Sequence, residues 1–187
     1  MTRRTDTVVA VGNTVKKVWY RRPGVMIPLG LLTAGVVMAV VSLVSPWPSA
    51  LLIRAVFEDG ANKTVAEMDQ YVPSSGVDAR LDLNYGDGSR NTAFDLFTPT
   101  GATEQLPTVV WIHGGAWISG SKENVDPYAR ILAENDLTVV TLNYTISPEA
   151  IYPTAITQLN DALGYLVANA AEFNIDPDRI VIAGDSA

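Results

Sequence analysis

The sequence predicts an α/β fold, with a mostly parallel sheet and flanking helices, preceded by one transmembrane helix. Two near-continuous apolar runs, at 108–113 and 137–143, are typical of parallel strands that are covered on both faces. A segment with apolar residues at helical spacing starts near Pro153 and leads to a third apolar run at 180–183. Strand and helix patterns that alternate in this way indicate right-handed crossovers and a parallel sheet.

Residues 25–44 are nearly all apolar, and we predict that they form a transmembrane anchor. A helix of this length spans about 30 Å, the thickness of the hydrocarbon core of a bilayer. Residues 1–24 carry six basic residues and one acidic residue, whereas 25–187 carry seven basic and 19 acidic residues. The positive-inside tendency therefore predicts a cytoplasmic N-terminus and an extracytoplasmic remainder. The alternative is a signal peptide that is cleaved on export, although its apolar region would normally be shorter.

The segment 45–76 is predicted to be a juxtamembrane segment and tether. Leu51–Phe57 is apolar but short and contains Arg54, so we expect it at the membrane interface rather than as a second span. The polar residues that follow, at 58–76, are typical of a tether that contains a helical turn or two.

The globular part is predicted to occupy residues 77–187 and to begin with a β-hairpin. Leu81 and Leu83 alternate with polar residues at the period of a strand, and a Gly-Asp-Gly-Ser turn follows at 86–89. A second strand is expected at 92–97. The next helix is expected near residue 126, where an Asp-Pro pair is typical of a helix start.

The composition excludes several functions. The chain contains no cysteine, which excludes disulfides, thiolate metal sites and a cysteine nucleophile. The acidic globular part is a poor binder of nucleic acid, because phosphate contacts require clustered Lys and Arg. The sequence has no Gly-rich phosphate loop and no metal-ligand spacing, so we predict no metal site.

The end of the chain carries the first motif with chemical meaning. The apolar run 180–183 leads into Gly184-Asp185-Ser186-Ala187, four residues of the Gly-x-Ser-x-Gly nucleophile elbow. A strand-to-helix turn of this kind exposes a serine hydroxyl where a helix N-terminus favours negative charge. Ser186 is therefore the candidate catalytic nucleophile. A four-residue match taken alone would also fit an ordinary serine in a turn.

The second motif, His113-Gly114-Gly115-Ala116, follows the first buried strand. Glycines there allow backbone N–H groups to approach a substrate carbonyl without interference from a Cβ atom. We predict an oxyanion hole formed by the N–H groups of Gly115, Ala116 and Ala187.

Together these motifs resemble those of α/β-hydrolases, and more narrowly of hormone-sensitive-lipase-like carboxylesterases. Residues 111–117 are similar to the His-Gly-Gly-Gly-Trp loop of that family, and 143–153 and 176–187 resemble its later segments. The resemblance implies ester hydrolysis through an acyl-enzyme on Ser186, without a cofactor, with His113 and Gly114 supporting the oxyanion loop. Ala116 replaces the third glycine of the family, which we expect to be tolerated if its φ stays negative.

The resemblance covers residues 77–187, about the N-terminal half of a hydrolase domain. The triad acid and base follow the serine in this fold, so both are expected beyond Ala187, and the 187-residue chain is expected to be inactive alone. The substrate would be a small-molecule or lipid ester. The alternative is a non-catalytic, membrane-tethered binding or assembly module, in which a partner, instead of the missing C-terminal half, covers the open sheet edge.

Overall fold

The computed structural model describes residues 23–186, with side chains from residue 26, and it divides at Val44 into two compact units. In the first unit, helix α1 spans Pro23–Val44. Its segment Met26–Val44 is long and apolar enough to cross a membrane, and a signal sequence would have the same properties. The predicted basic N-terminus lies almost entirely outside the described residues.

The segment that was predicted as a tether instead contains a 22-residue helix of the second unit. Helix α2 spans Trp47–Met68, and a short 3₁₀ turn follows it. The prediction failed because polar composition was taken as a sign of a loop. Most side chains of α2 are exposed, among them the apolar Leu52 and Val56 as well as Lys63, which pairs with Asp59 at helical spacing. The inner face buries Ala50 and directs Arg54 toward the domain.

The second unit contains a five-stranded sheet of order β1-β2-β4-β3-β5. Its strands and remaining helices are β1 Val77–Asn84, β2 Ala93–Pro99, β3 Leu106–Ile112, α3 Asp126–Ala133, β4 Thr138–Leu142, α4 Thr154–Ala168 and β5 Ile175–Gly184. The predicted hairpin is present as antiparallel β1 and β2, and β2 also pairs antiparallel with β4. Strand β3 is parallel to both β4 and β5, as the apolar runs predicted.

Each face of the sheet packs against one helix. On one face, Leu166 of α4 contacts a cluster that includes Phe94, Val140 and Leu142. On the other face, Ala129 and Ala133 of α3 pack against a smaller cluster with Phe97 and Val139. These alternating strand residues explain why β2 and β4 are almost completely buried.

Strand β5 forms one edge of the sheet within the described residues. Val181 and Ile182 are 59% and 56% exposed there, although they belong to an apolar run, 180–183. Such an exposed apolar edge is a template for pairing with further chain.

One buried polar atom on β4 indicates a stabilising substitution. The Thr141 hydroxyl has no hydrogen-bond partner among the described residues. We expect Thr141→Val, which keeps the side-chain shape, to raise the free energy of unfolding by about 1 kcal/mol in urea denaturation. The matched control is Thr138, equally buried on the same strand, whose hydroxyl donates to the Asn174 carbonyl at 2.8 Å. Thr138→Val should destabilise by about 1 kcal/mol, and a loss of the same size at both positions would contradict the prediction.

Candidate functional site

The two sequence motifs begin side by side because their strands are in register. Ile112, the last residue of β3, pairs with Gly184, the last residue of β5. Parallel strands end at the same edge of the sheet, so the loop after Ile112 and the turn after Gly184 emerge together. This edge is the usual place for ligand binding in α/β sheets.

The turn after β5, where the sequence predicts a nucleophile elbow, has a strained backbone. Ser186 has a φ of 52° and is exposed. A non-glycine residue in this left-handed region costs about 1–3 kcal/mol and is found mostly where function requires it. The Ser186 side chain is therefore accessible to solvent within the described residues. Ala187, the third predicted oxyanion donor, lies outside the described residues.

Asp185 connects the elbow to the glycine loop. Its Oδ1 accepts hydrogen bonds from the Trp111 indole at 2.9 Å and from the Gly114 N–H at 3.2 Å. The contact is so close that a Cβ atom on Gly114 would lie 1.9 Å from the Asp185 carbonyl oxygen. Glycine is therefore required at 114. Sequence reasoning missed this connection, because nothing in the motif indicates a partner 71 residues earlier.

The glycine loop folds into a tight turn in which two N–H groups have no acceptor among the described residues. The Gly115 carbonyl accepts hydrogen bonds from the N–H groups of Ile118 and Ser119, each at 3.0 Å. Gly115 has a φ of 122°, and a Cβ atom there would lie 2.2 Å from the Ser119 carbonyl oxygen. The N–H groups of Gly115 and Ala116 donate to no acceptor within residues 23–186.

Ala116 corrects one expectation about the loop. Its φ is 55°, so the negative φ on which tolerance of the alanine was made conditional is not present. Ala116 and Trp117 are the two central residues of the turn that the Ile118 N–H closes onto the Gly115 carbonyl, and positive φ at both positions is the pattern of a type I′ turn. The left-handed conformation costs an alanine about 1–2 kcal/mol.

Ala116→Gly is therefore expected to stabilise the protein, by about 1 kcal/mol in urea denaturation, because glycine adopts this conformation without a Cβ penalty. Ala66, an exposed alanine within α2, provides the control. Ala66→Gly should destabilise by about 1 kcal/mol, since glycine is unfavourable within a helix. Destabilisation by both substitutions would show that position 116 is unstrained.

His113 is buried and bonds to the backbone of the glycine loop. It is 2% exposed, and its Nδ1 donates to the Gly114 carbonyl at 2.8 Å. Its ring stacks on Tyr144 at 4.3 Å, and the Tyr144 hydroxyl donates to the His113 carbonyl at 2.9 Å. Burial lowers the pKa of His113, so the imidazole is neutral at pH 7.

A cavity of about 530 Å³ lies over the loop, which is within the range of small-molecule sites. Its floor includes His113, Gly114, Gly115 and Asp185. Helix α2 contributes Arg54, Val56, Phe57, Gly60 and Ala61 to the lining, and polar residues outside α2 contribute Arg90, Asn91 and Asn124. Among the described residues, no cluster of three or more His, Asp or Glu side chains is placed to hold a metal ion.

Comparisons with known proteins find one matching family model and relatives that are named as esterases. The BD-FAE family model matches residues 94–187. Carboxylesterase NlhH of Mycobacterium tuberculosis is 39% identical over 102 residues, which cover 54% of this chain and 32% of that protein. The arylesterase of Saccharolobus solfataricus is 31% identical over 132 residues, which cover 70% of this chain and 43% of the arylesterase.

Solved structures agree with these relatives. The hyperthermophilic esterase of the archaeon Pyrobaculum calidifontis matches with a TM-score of 0.59 at 27% identity, covering 73% of this chain and 42% of that one. This match confirms the predicted α/β-hydrolase fold. The chain spans less than half the length of the relatives it matches.

Proposed function

The chain belongs to the BD-FAE family, among the hormone-sensitive-lipase-like carboxylesterases, and on that premise we propose that it carries the nucleophile and oxyanion loop of a serine carboxylesterase. Ser186 attacks the carbonyl carbon of a carboxylic ester, the alcohol leaves, and water hydrolyses the resulting acyl-enzyme. The observation that carries this proposal is the contact between Asp185 and Gly114, which holds the exposed Ser186 turn against the loop. Within residues 23–186, two N–H groups of that loop have no acceptor.

The proposed oxyanion hole consists of the N–H groups of Gly115 and Ala116, together with that of Ala187. Fixed donors of this kind stabilise the negative charge of the tetrahedral intermediate more than the neutral ester. Loss of one such donor typically lowers kcat by about 10²–10³-fold. His113 and Gly114 support the loop, the first through the Gly114 carbonyl and Tyr144, the second by allowing close approach to Asp185.

The general base and its acid partner are proposed to come from chain beyond Ala187. In α/β-hydrolases the acid and the histidine both follow the nucleophile, and the greater length of the relatives supports this arrangement. His113 is unsuited to act as the base, because its Nδ1 donates to the Gly114 carbonyl and its ring is buried against Tyr144.

The substrates are proposed to be small-molecule or lipid carboxylic esters, and the chemistry requires no cofactor. The names of the relatives, a carboxylesterase and an arylesterase, support this substrate class. The test is hydrolysis of p-nitrophenyl butyrate by the complete protein encoded by the full reading frame. We expect enzymatic turnover, whereas the 187-residue chain should show none because it lacks the base. An inactive complete protein, tested with several acyl chain lengths, would contradict the proposal.

Helix α1 is proposed to anchor the protein in a membrane, with residues 1–24 in the cytoplasm and the hydrolase domain on the other side. The 187-residue chain has no cysteine, so single cysteines can be introduced cleanly. A membrane-impermeant maleimide should label Ser75→Cys in intact cells, but Thr5→Cys only after permeabilisation. The reverse pattern would contradict the orientation. A mature protein that begins after Val44 would identify α1 as a cleaved signal peptide.

One observation favours a second candidate function, a non-catalytic binding or assembly module. The exposed Val181 and Ile182 on the edge strand β5 could pair with a partner chain instead of with further strands of a hydrolase domain. The esterase assay separates the two functions, because only the enzyme gives turnover that depends on Ser186.

A further inference from the structure

Arg54 of α2 makes an unusual set of contacts with the loops of the site. Its Nε donates to the Ile118 carbonyl and one Nη donates to the Ser147 carbonyl, both at 2.6 Å. The guanidinium also forms a two-pronged ion pair with Glu149, with Nη1 at 2.7 Å from Oε1. The Arg54 side chain is only 19% exposed.

Arg54 binds the carbonyl oxygens of Ile118 and Ser147, and the N–H groups of the same two residues bond to the strained part of the oxyanion loop. Ala116 and Trp117 both have a left-handed backbone, with φ of 55° and 61°. Ile118 closes the turn from one side through its N–H bond to the Gly115 carbonyl. Ser147 closes it from the other side, through its N–H bond to the Trp117 carbonyl at 2.7 Å. Strained residues of this kind persist only where their surroundings fix them.

The carbonyl contacts distinguish Arg54 from a surface ion pair. Glu149 is 37% exposed, and exposed ion pairs contribute little to stability. The bonds to Ile118 and Ser147 require the planar fork of a guanidinium, whose donors point in fixed directions. An ammonium group carries its three donors on one nitrogen and cannot reproduce the separate, coplanar donors of the guanidinium.

We propose that Arg54 is a positioning residue for the esterase: it fixes the segment 115–118, which contains the Gly115 and Ala116 N–H groups of the proposed oxyanion hole. This inference rests on the proposed function of the loop. It assigns a role in catalysis to α2, which follows the apolar helix directly in sequence. Arg54 acts through the backbone that it holds, not by contact with the reacting atoms.

The test compares Arg54 variants of the complete protein with a control on the same helix. We expect Arg54→Met to lower kcat for p-nitrophenyl butyrate at least about tenfold while KM changes less than about threefold, because the oxyanion forms only in the transition state. Arg54→Lys should lose most of the same activity. Glu149→Gln should keep kcat within about threefold, since both carbonyl contacts remain. Lys63→Met, which removes an exposed ion pair of α2, should behave as the unmodified protein.

Hydrogen exchange provides a readout that does not need activity. Amides in the segment 114–121 should exchange at least about tenfold faster in Arg54→Met than in the unmodified protein. Their exchange rates should be unchanged in Lys63→Met. Equal exchange in the two variants would overturn the inference, as would a raised KM with unchanged kcat, which would make Arg54 only a wall of the cleft. If the unmodified complete protein has no Ser186-dependent turnover, the proposed function fails, and the exchange experiment still decides whether Arg54 holds the loop.

Discussion

Ser186→Ala is expected to lower kcat/KM of the complete protein for short-chain esters by at least about 10⁴-fold, because removal of a serine nucleophile leaves only binding and oxyanion stabilisation. Alanine fits the turn sterically as well as serine, apart from the hydroxyl. The variant should therefore keep its fold and its melting temperature within a few degrees. The measurement is steady-state hydrolysis of p-nitrophenyl butyrate, with circular dichroism to check folding.

Ser75 provides the matched control for this substitution. It is an exposed serine just before β1, and Ser75→Ala should leave kcat/KM unchanged. If Ser186→Ala retained more than a tenth of the activity, the serine would not be the nucleophile, and the strained turn at the end of β5 would need another explanation.

Lys122→Met is expected to lower the free energy of unfolding by about 3–5 kcal/mol, the cost of breaking a buried ion pair from one side. Lys122 Nζ lies 2.8 Å and 2.9 Å from the two carboxylate oxygens of Asp95, and both side chains are 3% exposed. It also contacts Asp82 at 2.9 Å. Methionine fills the same space but leaves the Asp95 carboxylate buried without a counter-ion. Urea denaturation at pH 7 measures the loss.

Two further variants separate the charge effect from packing. Lys122→Met combined with Asp95→Leu should be less destabilising than Lys122→Met alone, since no buried charge then remains. Lys63→Met, which breaks the exposed pair with Asp59, should cost less than about 1 kcal/mol. A loss below about 1 kcal/mol for Lys122→Met would show that the pair is solvated.

The pH dependence of this ion pair follows from the pKa of Lys122. Burial acts to lower that pKa, but hydrogen bonds to Asp82 and Asp95 outweigh burial, and the pKa is raised above its ordinary value. A raised pKa in the folded state means that the contribution is complete below the ordinary lysine value, about 10.4, and is lost as pH rises through the folded value. The stability difference between the unmodified protein and Lys122→Met should therefore stay constant from pH 7 to about 9 and shrink in stronger alkali.

The regular elements of the fold could be predicted because their patterns are local. Alternation over residues 79–85 predicted β1, and the apolar runs at 108–113 and 137–143 predicted β3 and β4. Helix α2 was missed because contacts distant in sequence stabilise it. Arg54 binds Ile118 and Ser147, which no local pattern of polar residues shows.

In the candidate site, too, local features could be predicted and contacts distant in sequence could not. Two motifs identified the candidate loop and turn, since their residue types reflect local backbone demands. Their contact depends on the register of β3 and β5 and on Asp185, and a sequence does not reveal strand register. The left-handed conformation of Ala116 was also missed, because alanine carries no signal for it.

The most direct test of the central claim, that an activated Ser186 faces the oxyanion loop, is reaction of the complete protein with an alkyl phosphonate ester. The phosphonate imitates the tetrahedral intermediate and reacts only with a serine that a base and an oxyanion hole activate. We expect one adduct per protein, located on Ser186 by peptide mass spectrometry and absent in Ser186→Ala. Ser186 left unmodified while the protein hydrolyses esters, or an adduct on another residue, would contradict the claim.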